Sequence, residues 1–403
     1  MRMETKAAAP SHAAQAAPPP LARALKNLLP EIGARSEEIE RTRFLPQDLA
    51  KKLSRTGLYH MCVPRRYGGL ETPPLQQIAL IEQLAHTDGA TAWCGFIGAT
   101  TGAMAAYLPP ASARSIYGKR STITAGVLAP MGRAQPATRK GRAGYIVSGR
   151  WQWGSGSRNA QWIMGGSLVL EDGAPRLRPS GAPSVRMMAA PASEVEILDT
   201  WHSSGLCGTG SNDFRMDKLF IAEEHSAAFA EDEPLQRPLY AFPQFGLLAI
   251  GIASTALGLA RRALDEIQAL ASGKTPQGSS RSLANRPATQ AAVAEAYAER
   301  RAVHGFLRAA VEEAWEAARR KGRIGVAHKR DVRLASTLAA RRSAHIVDVA
   351  YNLAGGSSVY RRSPLQRIFR DIHVLTQHMM VMPATYELGG RLLLGLETNT
   401  DSL

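Results

Sequence analysis

A block of short β-type runs lies between two long stretches of helical pattern, and this order limits the available folds more than any other feature. After Gly118 come STITAGVLAP, GYIVSGRWQWGSG, QWIMGGSLVL, VRMMAAP and DFRMDKLFIAEE, rich in β-branched and aromatic residues and bounded by Gly, Pro and Asn. These strand signals predict a small barrel or sandwich over 118–232. Before it, LPQDLAKKLSRTGLYHMCV and LQQIALIEQLAHTDGATAWCGFIGATTGAMAAYL place apolar residues at three- and four-residue intervals, so 21–117 reads as a helical domain. The loop PRRYGGLETPP separates the two. From 233 to 403 helical periodicity returns, at about 239–271, 288–321, 328–354 and 365–394. Four long helices on short connections predict an antiparallel bundle. The fold class is mainly α with a central β-domain.

Composition then narrows the function. No apolar run approaches the ~20 residues that span a bilayer. FGLLAIGIASTALGLA, from Phe245, ends in Arg261 and Arg262 and reads as a buried helix, so no membrane partner is expected. Residues 1–20 are rich in Ala and Pro, lack the apolar core of a signal peptide and read as a disordered tail. Cys62, Cys94 and Cys207 are too widely spaced to imply a disulfide framework or a zinc site, which points to the cytoplasm. The net charge is +15, with much of the excess between Arg261 and Arg342. These charges recur at helical spacing without interleaved aromatics. That favours a solvated face, or one toward an anionic cofactor or substrate, over nucleic acid.

Three stretches carry a resemblance. GLYHMCVPRRYGGLE, YIVSGRWQWGSGSRNAQW and YNLAGGSSVYRRSPLQRIFRDIHVLTQH, in that order, resemble the acyl-CoA dehydrogenase superfamily from about Leu21 to the end. WHSSGLCGTGSNDFRMDKLFIAEEH, from Trp201, is similar to its flavin-dependent monooxygenase branch, which includes oxygenase components of two-component phenol hydroxylases. The glycines and Asn–Asp pair of that segment also suit a tight inter-strand turn by themselves. The resemblance implies an N-terminal helical domain, a middle β-domain, a C-terminal four-helix bundle and a homotetramer.

The branch is decided by one position. A dehydrogenase of this superfamily carries a glutamate base just beyond an RD pair on the last helices. Here Arg370 and Asp371 are followed by IHVLTQHMM, with no carboxylate before Glu387. His378 stands in that slot, and an imidazole with a pKa of ~6.5 exchanges protons near neutrality. It is the candidate substrate-side acid or base. His373, five residues earlier, would lie ~140° away around a continuous helix and reads as structural.

Further site residues follow from the resemblance. Ser155, which precedes Gly156, matches the serine that bonds the flavin's central-ring nitrogen better than Ser157 does. Trp151 and Trp153, alternating as on a strand, are expected to share one face and wall the ring, and with Met379 to exclude water. Gly355 and Gly356 permit close backbone approach, and Ser357 and Ser358 offer hydroxyls and amides to a phosphate. Arg281 falls near the family's flavin-binding arginine, with Arg286 as its rival. Several aromatic hydroxylases of the branch have a second histidine where this chain has Thr100 and Thr101, so either any proton relay differs or the substrate is not a simple phenol.

The expected activity is that of a flavin-dependent monooxygenase. Reduced flavin, FMN first and FAD second, would react with O2 to give the 4a-hydroperoxide that oxygenates a small aromatic or heteroatom-bearing substrate. No GxGxxG follows a strand, so a separate NAD(P)H:flavin reductase is implied. The rival readings are an FAD-dependent acyl-CoA dehydrogenase using Glu387 or another carboxylate, and a non-catalytic binding protein on the same fold.

Overall fold

The computed structural model describes residues 20–403, so the tail expected over 1–20 lies, save its last residue, outside the described residues. The N-terminal part contains α1 (Pro20–Ala34), α2 (Ser36–Thr42), α3 (Gln47–Thr56), α4 (Pro74–Thr87), α5 (Gly89–Thr101) and α6 (Pro110–Tyr117). Helix α4 begins on Pro74, whose missing N–H costs nothing in a first turn. Asp88 caps α5, accepting from the backbone N–H and the hydroxyl of Thr91, both at 2.7 Å. That cap sets the phase of a helix buried along nearly its whole length, including Trp93, Cys94 and Phe96.

The central β-domain holds β1 (Thr124–Arg139), β2 (Arg142–Gly154), β3 (Trp162–Glu171), β4 (Ala174–Pro175), β5 (Val185–Pro191), β6 (Glu196–Leu198), β7 (Asn212–Ala222) and β8 (Ser226–Ala227). They form one eight-stranded sheet in the order β6-β7-β2-β1-β3-β5-β8, with β4 beside β3. Lys140 and Gly141, both at positive φ, make the two-residue turn that joins β1 to β2. Trp151 anchors this core, fully buried and stacked on Phe214 at 5.2 Å. A Cβ on Gly132, Gly149 or Gly165 would stand 2.2, 2.8 or 2.5 Å from the Trp151 indole, so side-chain-free positions make its seat.

The C-terminal helices are α7 (Gln244–Gly273), α8 (Pro287–Lys321), α9 (Val326–Ala354), α10 (Pro364–Leu375) and α11 (Ala384–Leu393). Helix α7 is long and apolar enough to cross a membrane, yet 89% of its most apolar window is buried inside the protein, against α4, α5, α9 and α10. The single helix expected over 365–394 is instead two. Thr376 Oγ1 and Gln377 Nε2 donate back to the His373 carbonyl, at 2.8 and 3.4 Å, and Pro383 disfavours a helical conformation before it. Pro383 was the available sequence signal for this break.

Candidate active site

Strand β2 loses its pairing register with β7 between Trp151 and Gly154, and Trp153 sits at φ 67°, where residues with side chains are uncommon. This irregularity cancels the alternation expected of Trp151 and Trp153. Trp151 turns into the sheet core, while Trp153 is 60% exposed. Only Trp153 is available to wall a ligand. It lines a groove with Trp201, His202, Ser203, Ser211 and Asp213.

Ser155 begins the turn after β2, and Gly156 follows at φ 73°. The Ser155 hydroxyl is buried and accepts from Trp93 Nε1 at 3.0 Å. It also lies 2.7 Å from Ser211 Oγ, which is 2.6 Å from Thr209 Oγ1. Thr209 Oγ1 donates to the Leu206 carbonyl at 2.8 Å. Nearby, Ser157 Oγ is buried with no hydrogen-bond partner.

His378 reaches the same place from the C-terminal helices. It lies outside helix, as the N-cap of the turn Met379–Val381, so the helical angle expected between it and His373 does not apply. Its ring centroid is 5.8 Å from that of Trp93. Trp93 thus touches both His378 and Ser155, and is the site residue that the sequence reading passed over inside TAWCGFIGATTGAMA. An aromatic within one turn of a capped helix start was the signal present. His378 Nδ1 accepts from the Met380 backbone N–H at 3.2 Å, so the neutral ring carries its proton on Nε2. Burial, aided by the Arg333 charge, lowers its pKa to about 4. At neutral pH His378 is therefore a hydrogen-bond donor through Nε2. Arg333, itself buried, donates to the Met380 carbonyl at 3.3 Å and to the Ser402 carbonyl, steadying this turn.

The other sequence candidates fall elsewhere. His373 Nε2 pairs with Asp348 at 2.8 Å and ties α10 to α9. Glu387 is exposed in the first turn of α11. Thr100 donates back to the Phe96 carbonyl of its own helix, and Thr101 bonds Thr124. Gly355, Gly356 and Ser357 form a short turn after α9, where Lys274 bonds the Ala354 carbonyl and Ser357 Oγ, the latter at 2.8 Å. Ser358 is buried and donates to the Gly355 carbonyl at 2.6 Å. Arg281 and Arg286 are exposed on the α7–α8 connection, which joins Lys274 through the Leu283 amide. Among the described residues, no hydrogen bond links this cluster to Ser155 or Trp153.

A reduced flavin ring fits the first cluster. Trp153 is exposed beside it, Ser155 Oγ retains an unused lone pair, and Ser157 Oγ is an orphaned polar atom of the kind that a ligand satisfies. Residues 24–109 match the acyl-CoA dehydrogenase N-terminal domain and residues 250–383 the acyl-CoA dehydrogenase C-terminal domain, and the chain belongs to the acyl-CoA dehydrogenase family. Indole-3-acetate monooxygenase of Pseudomonas putida is 32% identical over 363 residues, 90% of each chain. The oxygenase component of the FADH(2)-dependent resorcinol hydroxylase of Rhizobium sp. (strain MTP-10005) is 26% identical over 381 residues, 90% of this chain and 91% of that one. The crystal structure of the HsaA monooxygenase from M. tuberculosis has a TM-score of 0.84 to this chain at 25% identity, covering 95% of this chain and 99% of that one. Within the family, the protein is a flavin-dependent monooxygenase of the oxygenase-component type.

Proposed function

We propose that the chain oxygenates a small aromatic ring, an indole or a phenol, beside the cluster of His378, Trp93 and Ser155. The observation that carries this reading is the contact of Trp93 with both other groups, which draws residues from the first helices, the sheet and the last helices to one point. The relative named for indole-3-acetate supports an aromatic substrate. Reduced FMN is the working cofactor and FAD the second choice. When bound, the reduced flavin activates O2 for transfer of one oxygen atom.

In this reading Trp153 walls the ring, Ser155 accepts a hydrogen bond from it, and His378 Nε2 donates to the substrate or to the oxygen being transferred. Trp93 excludes water from between them. Gly355, Gly356, Ser357, Ser358 and Arg281 hold a phosphate end. The exposed apolar side chains Val359 and Tyr360 beside this cluster support a phosphate site completed across a subunit boundary, in a cytoplasmic homotetramer. The units are 21–117, 118–232 and 233–403.

The test mixes anaerobically reduced FMN, protein and indole-3-acetate or a phenol with oxygenated buffer, and measures O2 consumed, oxygenated product and peroxide. Product should track O2 in the native protein. In His378→Leu it should fall ~100-fold, with peroxide rising in its place. Native protein that returns all the O2 as peroxide with every aromatic tried would sink the reading.

A further inference from the structure

One hydrogen assignment for the hydroxyls around Ser155 fills every short oxygen–oxygen contact there. Three oxygen–oxygen contacts run in series, Ser155–Ser211 at 2.7 Å, Ser211–Thr209 at 2.6 Å and Thr209–Leu206 carbonyl at 2.8 Å. Each needs a hydrogen between its oxygens, and three hydroxyl hydrogens are available. The Leu206 carbonyl can only accept, so the last contact uses the Thr209 hydrogen. Ser211 must then donate to Thr209, and Ser155 to Ser211. At the other end Trp93 Nε1 can only donate, and it fills one lone pair of Ser155. The chain is one-way. Ser155 has spent its only hydrogen and has one lone pair left.

We propose that Ser211 and Thr209 are positioning residues that turn the Ser155 hydroxyl hydrogen away from the flavin, so that the site distinguishes reduced from oxidised cofactor. This rests on the reading that Ser155 faces the flavin's central-ring nitrogen. In the reduced form that nitrogen carries a hydrogen, which the free lone pair of Ser155 accepts. In the oxidised form it presents a lone pair, which meets another lone pair. The arrangement therefore holds the cofactor as delivered and releases it once spent. The GTGS turn supplies the residues, and both hydroxyls are buried, so water does not scramble the direction.

The experiment measures Kd for oxidised FMN and, anaerobically, for reduced FMN, together with the midpoint potential of the bound flavin. In Ser211→Ala the Ser155 hydrogen loses its acceptor and is freed toward the flavin. In Thr209→Val the Ser211 hydrogen swings to Ser155, with the same result. Both should lower the ratio of oxidised to reduced Kd about tenfold, equivalent to ~30 mV for a two-electron couple. Thr209→Ser keeps the hydroxyl and should keep the ratio. If Ser155→Ala changes the ratio while Ser211→Ala and Thr209→Val leave it unchanged, the inference fails and the placement of Ser155 stands. If Ser155→Ala changes neither constant, that placement fails and takes the inference with it. Circular dichroism of each variant separates these results from misfolding, and Ser211→Ala, the smaller change, decides if Thr209→Val does not fold.

Discussion

Asp371 is buried where its charge is poorly solvated, and accepts from the Leu206 backbone N–H at 2.6 Å. Burial foremost raises its pKa from 3.8 to about 7, with Asp88 adding to the shift. The folded protein therefore holds a proton that the unfolded chain releases between these values. The stability from this group is full below the lower value and declines as pH rises to the upper one. Asp371→Asn keeps an oxygen for Leu206 and cannot titrate. Its urea midpoint should change less than that of the native protein between pH 4 and 7, and equal changes would refute the assignment. His378 works in the opposite sense. With its pKa lowered to about 4, its contribution is present above ~6.5 and declines as pH falls. As a neutral Nε2 donor it should place no inflection near pH 6.5 in the oxygenation rate. His378→Gln, which retains an N–H, should keep more activity than His378→Leu. Equal losses, with an inflection near 6.5 in the native profile, would instead make His378 a base.

At the scale of elements, the RD pair acts as a clasp between α10 and the turn that carries Thr209 and Ser211. Arg370 donates to the Ser204 carbonyl at 2.8 Å and pairs with Glu40 at 2.6 Å, while Asp371 holds Leu206, itself at φ 49°. Between them the backbones nearly touch. A Cβ on Gly205 would lie 2.2 Å from the Arg370 carbonyl oxygen, a rigid neighbour. Gly205→Ala should cost ~1–3 kcal/mol in chemical denaturation, and should weaken flavin binding further because the hydroxyl series hangs from this turn. A cost under ~0.5 kcal/mol would mean that the clasp is loose. The buried Arg333, which grips the Met380 and Ser402 carbonyls, does the same for the His378 turn.

Across the whole molecule, α7 joins the parts, packing on α4 and α5 at one side and α9 and α10 at the other. The proposed flavin ring site draws on three lengths of chain, through Trp93, Ser155 and His378. Its rigidity depends on the entire core rather than on any one motif. The last helices and their connections also leave Val359, Tyr360, Met382, Tyr386, Leu393 and Leu394 exposed. Val359 and Tyr360 directly follow the GGSS turn, and so many large exposed apolar side chains suit a subunit interface. Light scattering should give about four times the 43.4 kDa chain mass, and Tyr360→Glu, two residues past Ser358, should reduce it together with flavin affinity. A native monomer that binds flavin normally would overturn the shared phosphate site.

The sequence by itself determined the succession of helices, sheet and bundle, because apolar periods of three to four residues and β-branched runs bounded by Gly, Pro and Asn report local geometry directly. Through the family resemblance it also pointed to His378, because residue identity and the neighbouring RD pair are enough to show a histidine where a dehydrogenase would carry its carboxylate. Tertiary structure alone decided which tryptophan faces outward, because a one-residue register slip at Gly154 reverses the sides of a strand. It alone joined Trp93 to Ser155 across 62 positions. And it alone gave the hydroxyls of Ser155, Ser211 and Thr209 a direction, because hydrogen-bond direction depends on which groups end the series, and folding chooses the ends.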